Sequence, residues 1–132
     1  MILNNYYFCF KSRDMKEIEQ IYFNDFGVAF HWKKNDMVLS EKVQLVFKET
    51  GFYFSVSELQ HFAVLIEESS KRNNCCENCE MKKNCAKFLL KTPVSQIDLA
   101  VSMYELDCIK DLVEGTLFKI KLAEYMYGVG RN

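Results

Sequence analysis

The chain has 132 residues, and its 17 Lys and Arg against 18 Asp and Glu leave a net charge of −1. With 49% hydrophobic residues, 14% aromatic residues, five Gly and a single Pro, it is excluded from the collagen-like, low-complexity and disordered classes and has the size of one domain, residues 1–132. Near-neutral charge supplies no global field for nucleic acid or an anionic membrane, and no apolar run approaches the ~20 residues that span a bilayer.

The segment Met1 to Phe10 has no basic n-region and no small-residue cleavage site, so it does not read as a signal peptide. A cytoplasmic location is expected, and thiols there stay reduced. Tyr6 to Lys11 reads as an aromatic strand, and Ser12-Arg13-Asp14 as a turn. Glu17 to Phe23 suits either a helix or a strand. Asn24-Asp25 turns the chain. Phe26, Val28, Phe30 and Trp32 then recur at every second position, which predicts a half-buried strand with one bulky face. Lys33-Lys34-Asn35-Asp36 is its polar turn. Val43, Leu45 and Phe47 alternate in the same way. Thr50-Gly51 is expected to turn that strand into Phe52-Tyr53-Phe54, closing a hairpin.

Ser55-Val56-Ser57-Glu58 is a capping box, in which the Ser hydroxyl and the Glu carboxylate each take one orphan amide of a helix start. Phe54 and Leu59 sit at its staple positions. Leu59, Phe62, Ala63 and Ile66 give the helix one apolar face. Lys87 to Lys91 reads as a short strand, Thr92-Pro93 as a bend, and Ile97 to Val101 as a further strand. Ser102-Met103-Tyr104-Glu105 is a second capping box. Leu106, Ile109, Leu112 and Val113 form the apolar face of its helix. Gly115 is expected to stop that helix, and Leu117 to Tyr127 to form a third with a broad apolar face.

A shift of 47 residues overlays Phe52 to Glu67 on Leu99 to Glu114 with five identities in sixteen positions. Either a strand–strand–helix repeat or the shared needs of two capped units explains this. Both readings predict an α+β fold: a mostly antiparallel sheet with two or three helices on one face.

Between the two units lies a cysteine-rich loop, residues 73–87. It carries Cys75, Cys76, Cys79 and Cys85, four of the six cysteines. Its Cys-x2-Cys-x5-Cys core can turn three sulfurs towards one centre, and Zn²⁺ takes four N or S ligands tetrahedrally. Lys82, Lys83 and Lys87 would offset the excess thiolate charge. Cys75 is adjacent to Cys76 and can join the same site only with a distorted backbone. Cys9, Cys108, His31 and His61 are the other candidates for a fourth ligand. An iron–sulfur cluster, a thiol redox pair and inert thiols are the alternatives to zinc. The segment resembles zinc knuckles. It also looks like the cluster-binding segments of auxiliary domains in some radical enzymes and the terminal cluster motif of some nucleases.

No phosphate loop, nucleophile elbow, His-Glu-x-x-His or carboxylate pair is present, so no catalytic residue is assigned. The expected role is a non-enzymatic interaction or regulatory domain acting on a protein partner or on itself as a homodimer. Tyr6, Tyr7 and Tyr53 are candidate contacts, and nucleic acid is disfavoured as a partner. Val43 to Glu67 and Lys91 to Glu114 together resemble a group of small bacterial proteins without an assigned activity. That resemblance implies a fold and no chemistry.

Overall fold

The structure, a computed structural model, describes residues 17–72 and 87–127. The strand expected over residues 6–11 and the whole cysteine segment up to residue 86 lie outside the described residues. Strand β1 (Ile18–Phe23) resolves the ambiguous stretch as extended chain. Asn24 then makes the turn: its Oδ1 accepts from the N–H of Phe26 at 2.8 Å and of Gly27 at 3.0 Å, the Asx geometry that makes Asn a turn residue. Strand β2 (Gly27–Lys34) pairs with β1. It continues through Asn35 and Asp36, both at positive φ, into the two-residue strand β3 (Met37–Val38). Strands β4 (Lys42–Phe47) and β5 (Thr50–Ser55) complete a sheet of order β1-β2-β4-β5, antiparallel at every step, with β3 on β2.

The β4–β5 turn is Lys48-Glu49, with Phe47 paired to Thr50. It is not Thr50-Gly51, which are strand residues. Lys48 takes the positive φ, at 53°.

Helix α1 (Val56–Arg72) and helix α2 (Met103–Tyr127) start where the capping boxes place them. Ser55 N donates to Glu58 Oε1 at 2.9 Å and Glu58 N to Ser55 Oγ at 3.1 Å. Ser102 and Glu105 repeat the same two bonds at 3.0 and 3.1 Å. The second hairpin, β6 (Phe88–Lys91) and β7 (Asp98–Val101), is antiparallel. Its bend is held by Thr92, whose Oγ1 donates to Ile97 O at 2.7 Å and accepts from Val94 N at 3.1 Å. The architecture is therefore α+β. Among the described residues there are two helices, neither long and apolar enough to cross a membrane.

A further expectation is corrected. Gly115 does not stop a helix: α2 runs unbroken through it for 25 residues, so no third helix begins at Leu117. The reason is tertiary, because the Tyr22 ring lies over Gly115 where a Cβ would stand, and the glycine serves contact and not termination. The bulky positions of β2 face away from the helices. Tyr22 pairs with Ala29, Ala29 with Leu45, and Leu45 with Phe52, which places these four on the helix-facing side. Val28 and Phe30 are buried on the other side, with Phe30 edge-on to Trp32. Small residues are needed under α2 because a Cβ on Gly27 would come within 3.0 Å of Leu112 Cδ2.

The core joins the strands Val43, Leu45, Phe47, Phe52 and Phe54 to Leu59, Phe62 and Ile66 of α1 and to Leu106, Ile109, Leu112 and Val113 of α2. Leu90 and Val101 carry the second hairpin into the same cluster. Fully burying each such side chain contributes about 1.5–3 kcal/mol. Phe52 stacks on Phe54 at 5.0 Å, and Phe62 meets Phe54 edge-on at 5.8 Å, arrangements that add to the area term.

Candidate functional site

Cys75, Cys76, Cys79 and Cys85, like Cys9, lie outside the described residues. What is described is the frame that carries the segment. Arg72 ends α1 on one side, and Lys87 precedes β6 on the other. Lys87 is fastened: its Nζ stands 3.1 Å from Glu105 Oε1. The other carboxylate oxygen of Glu105 takes Lys48 Nζ from the β4–β5 turn. The same carboxylate closes the α2 capping box through Ser102 N. Burial raises the cost of charging Glu105, but the hydrogen bonds from Lys48, Ser102 and Lys87 outweigh it and hold its carboxyl at about 2. Sequence spacing identified Glu105 as a cap only. Its role as a clasp between the large sheet, α2 and the exit of the cysteine segment depends on a lysine 57 residues away.

The described candidates for a fourth ligand occupy three different elements. His31 on β2 has its Nδ1 2.9 Å from Lys42 O. His61 is exposed on α1. Cys108 is a free, half-buried thiol on α2, so positions 61 and 108, equivalent under the 47-residue shift, differ in exposure. Among the described residues no three His, Cys, Asp or Glu are grouped to hold a metal ion.

Cys108 lies in a shallow cleft with Asn24, Phe26, Tyr104, Asp107 and Asp111. Asn24 Nδ2 reaches Cys108 O at 3.0 Å and Asp111 Oδ2 at 2.9 Å, and Tyr22 Oη donates to the Asp111 carboxylate at 3.1 Å. Burial pushes the thiol above its ordinary range. A hydrogen bond with Tyr104 works against that, and the carboxylates of Asp107, Asp111 and Asp25 reinforce it. A thiol kept protonated is a poor nucleophile and a poor metal ligand. The cleft therefore acts as a tie between the β1–β2 turn and α2.

Tyr53 stands exposed on β5, as expected of a contact residue, with Lys42 Nζ 5.1 Å from its ring centroid. A larger exposed apolar feature lies on the broad apolar face expected over Leu117 to Tyr127. Phe118, Leu122, Tyr125 and Met126 are 62%, 38%, 87% and 60% exposed on the last turns of α2. Their i, i+4, i+7, i+8 spacing is the signal for a single helix face. It is legible in the sequence, where it merged with the buried face of the same helix. No buried side-chain nitrogen or oxygen among the described residues lacks a hydrogen-bond partner. No known protein family, curated protein or solved structure matches the chain.

Proposed function

We propose that this chain is a small cytoplasmic, non-enzymatic interaction or regulatory domain whose cysteine segment holds a structural Zn²⁺ through Cys75, Cys76, Cys79 and Cys85. One observation carries the interaction reading: the large apolar side chains Phe118, Leu122, Tyr125 and Met126 stand exposed, outside the buried core. Exposed apolar surface of that kind on a folded domain marks a contact with another protein. The zinc reading rests on the cysteine spacing, and the fastening of Lys87 to Glu105 supports it by giving the segment one fixed end. A metal there staples a loop onto a scaffold whose aromatic strands fold without it. The two strand–helix units, each opened by the same capping box, fit an internal repeat in this reading. The likeness to small bacterial proteins without assigned activity adds a fold to it and no chemistry.

Elemental analysis and an absorption spectrum of anaerobically purified, untagged protein test the metal. The expected result is one equivalent of zinc and no colour. Cys76→Ser with Cys79→Ser should then release the zinc and open the chain between Arg72 and Lys87 to protease. A metal-free protein with freely titrating thiols overturns the zinc site. Iron with absorption at about 400 nm replaces it with a thiolate-ligated cluster and a redox role.

A further inference from the structure

An antiparallel sheet with helices on one side commonly turns a polar face to water on the other. Here the face away from the helices is apolar. Val28, Phe30 and Trp32 lie on it in β2, and their ladder neighbours add Ile18, Phe23 and Val46. Val28 is 2% and Phe30 1% exposed, yet neither belongs to the core cluster between the sheet and the helices. The Trp32 ring meets Phe30 edge-on, and its indole N–H donates to Gln44 Oε1 at 3.1 Å. One ring in that position covers one flank of Phe30 and leaves the rest to something else. Among the described residues, both helices and the second hairpin enter the core on the opposite side, through Leu59, Leu106 and Leu90. We infer that the cover is the chain's own residues 1–16, laid across Val28 and Phe30 as a strap that makes a third layer. The inference rests neither on the metal nor on the interaction reading above.

Position, length and composition select this segment. It joins the sheet beside the covered face: Lys33 N donates to Glu17 O at 2.6 Å, and Ile18 pairs with Trp32. Extended, residues 1–16 reach about 50 Å. The path along β2 from Trp32 to Val28 is about 14 Å, and the width of four strands is about the same. Met1 to Phe10 carries no charged side chain, and Ile2, Leu3, Tyr6, Tyr7, Phe8 and Phe10 are large and apolar. Residues 73–86 suit the face less well. They carry Glu77, Glu80, Lys82 and Lys83, whose burial against Phe30 would be costly. Both their ends are also rooted on the helix side, where Arg72 ends α1 and Glu105 of α2 holds Lys87. A second copy is not required, because Val28 and Phe30 are already buried within one chain.

Nuclear Overhauser contacts in the full, unaltered chain test this without any substitution. The methyl groups of Val28 and Val46 should meet aromatic ring protons of residues 6–10. Contacts with residues 73–86 in their place overturn the proposal. Contacts that an isotope-filtered mixture assigns to a second copy overturn it as well, and so do methyl groups with no contact beyond their own sheet. Trp32, the one tryptophan of the chain, gives a second readout on the same face. Replacing Tyr6, Tyr7, Phe8 and Phe10 together by Ser in the full chain should shift Trp32 emission to longer wavelength and raise its quenching by acrylamide, while the helical circular dichroism signal holds. A Trp32 signal indifferent to all four substitutions overturns the strap. Should the variant lose its helical signal, the Overhauser contacts of the unaltered chain decide the case alone.

Discussion

The Tyr22 ring of β1 lies over Gly115 in the middle of α2, and the Tyr22 hydroxyl continues on to the Asp111 carboxylate one turn away. One aromatic side chain therefore joins the edge strand of the sheet to the long helix by packing and by a hydrogen bond. Burial, and then the bond and charge of Asp111, push the Tyr22 hydroxyl above its ordinary range.

Gly115→Ala should destabilise the protein although alanine is the better helix former. The propensity gain is about 1 kcal/mol. The added Cβ would overlap the Tyr22 ring, which puts overpacking in the upper half of its usual range, about 2–3 kcal/mol, so the net expectation is a loss of about 1–2 kcal/mol in a urea melt. The sign should reverse with Tyr22→Ala in the background, where the obstruction is gone. A stabilising Gly115→Ala with Tyr22 intact would show that the contact does not constrain α2.

Glu105 makes stability pH-dependent in a defined window. Its carboxyl is held at about 2, against an ordinary 4.5. A lowered folded-state value contributes stability that is complete above about 4.5 and is lost as pH falls towards about 2. The shift corresponds to roughly 3 kcal/mol, discounted towards about 2 because Lys48 and Lys87 are half exposed. Glu105→Gln should lose about that amount at pH 7 and flatten the acid limb of a urea midpoint-against-pH curve. Glu58→Gln, which removes the corresponding bond of the first capping box, should cost less than about 1 kcal/mol. Equal losses at the two positions would remove the lysines from the account.

These two cases show what the sequence made legible. Both capping boxes and the β4 alternation were readable because each signal is local, spanning one helical turn or one strand. Gly115 was misread because the residue that decides its role, Tyr22, is on another element. Which face of β2 meets the helices was not legible, because period two separates two faces without assigning them. Ala29 and Gly27 lie on the helix-facing side, and a Cβ on Gly27 would meet Val46, Phe47 and Leu112 there. Of the candidate site, the cysteine spacing was readable and the Glu105 clasp was not, since Lys48 reaches it only through the fold.

The Cys108 thiol should alkylate slowly. Burial and then the surrounding carboxylates hold it above its ordinary 9. Reaction with iodoacetamide, followed on the Cys108 peptide by mass spectrometry, should therefore show its midpoint above pH 9. Asp107→Asn removes one exposed charge and should speed the reaction at pH 8 by roughly two- to threefold. Tyr104→Phe should act in the opposite direction, because the Tyr104 hydrogen bond favours the thiolate. A midpoint below 9, or equal effects of the two substitutions, would contradict this electrostatic description of the cleft.

Gly27 and Gly51 offer a paired test of how tightly the sheet is packed around its glycines. A Cβ at Gly27 would overlap the backbone carbonyl of Val46 and lie 2.8 Å from Phe47 Cβ and 3.0 Å from Leu112 Cδ2. A backbone oxygen in a ladder cannot step aside, so Gly27→Ala should cost about 3 kcal/mol, the upper end of overpacking. At Gly51 the nearest atom is the Gln44 amide, 3.2 Å away at the end of a side chain. Glycine is also a poor strand residue, so Gly51→Ala, measured in the same urea series, should stay within about 1 kcal/mol of the parent. A Gly27→Ala variant as stable as the Gly51→Ala variant would mean that the β2–β4 ladder yields at Val46, and that the close packing around Gly27 does not constrain the sheet.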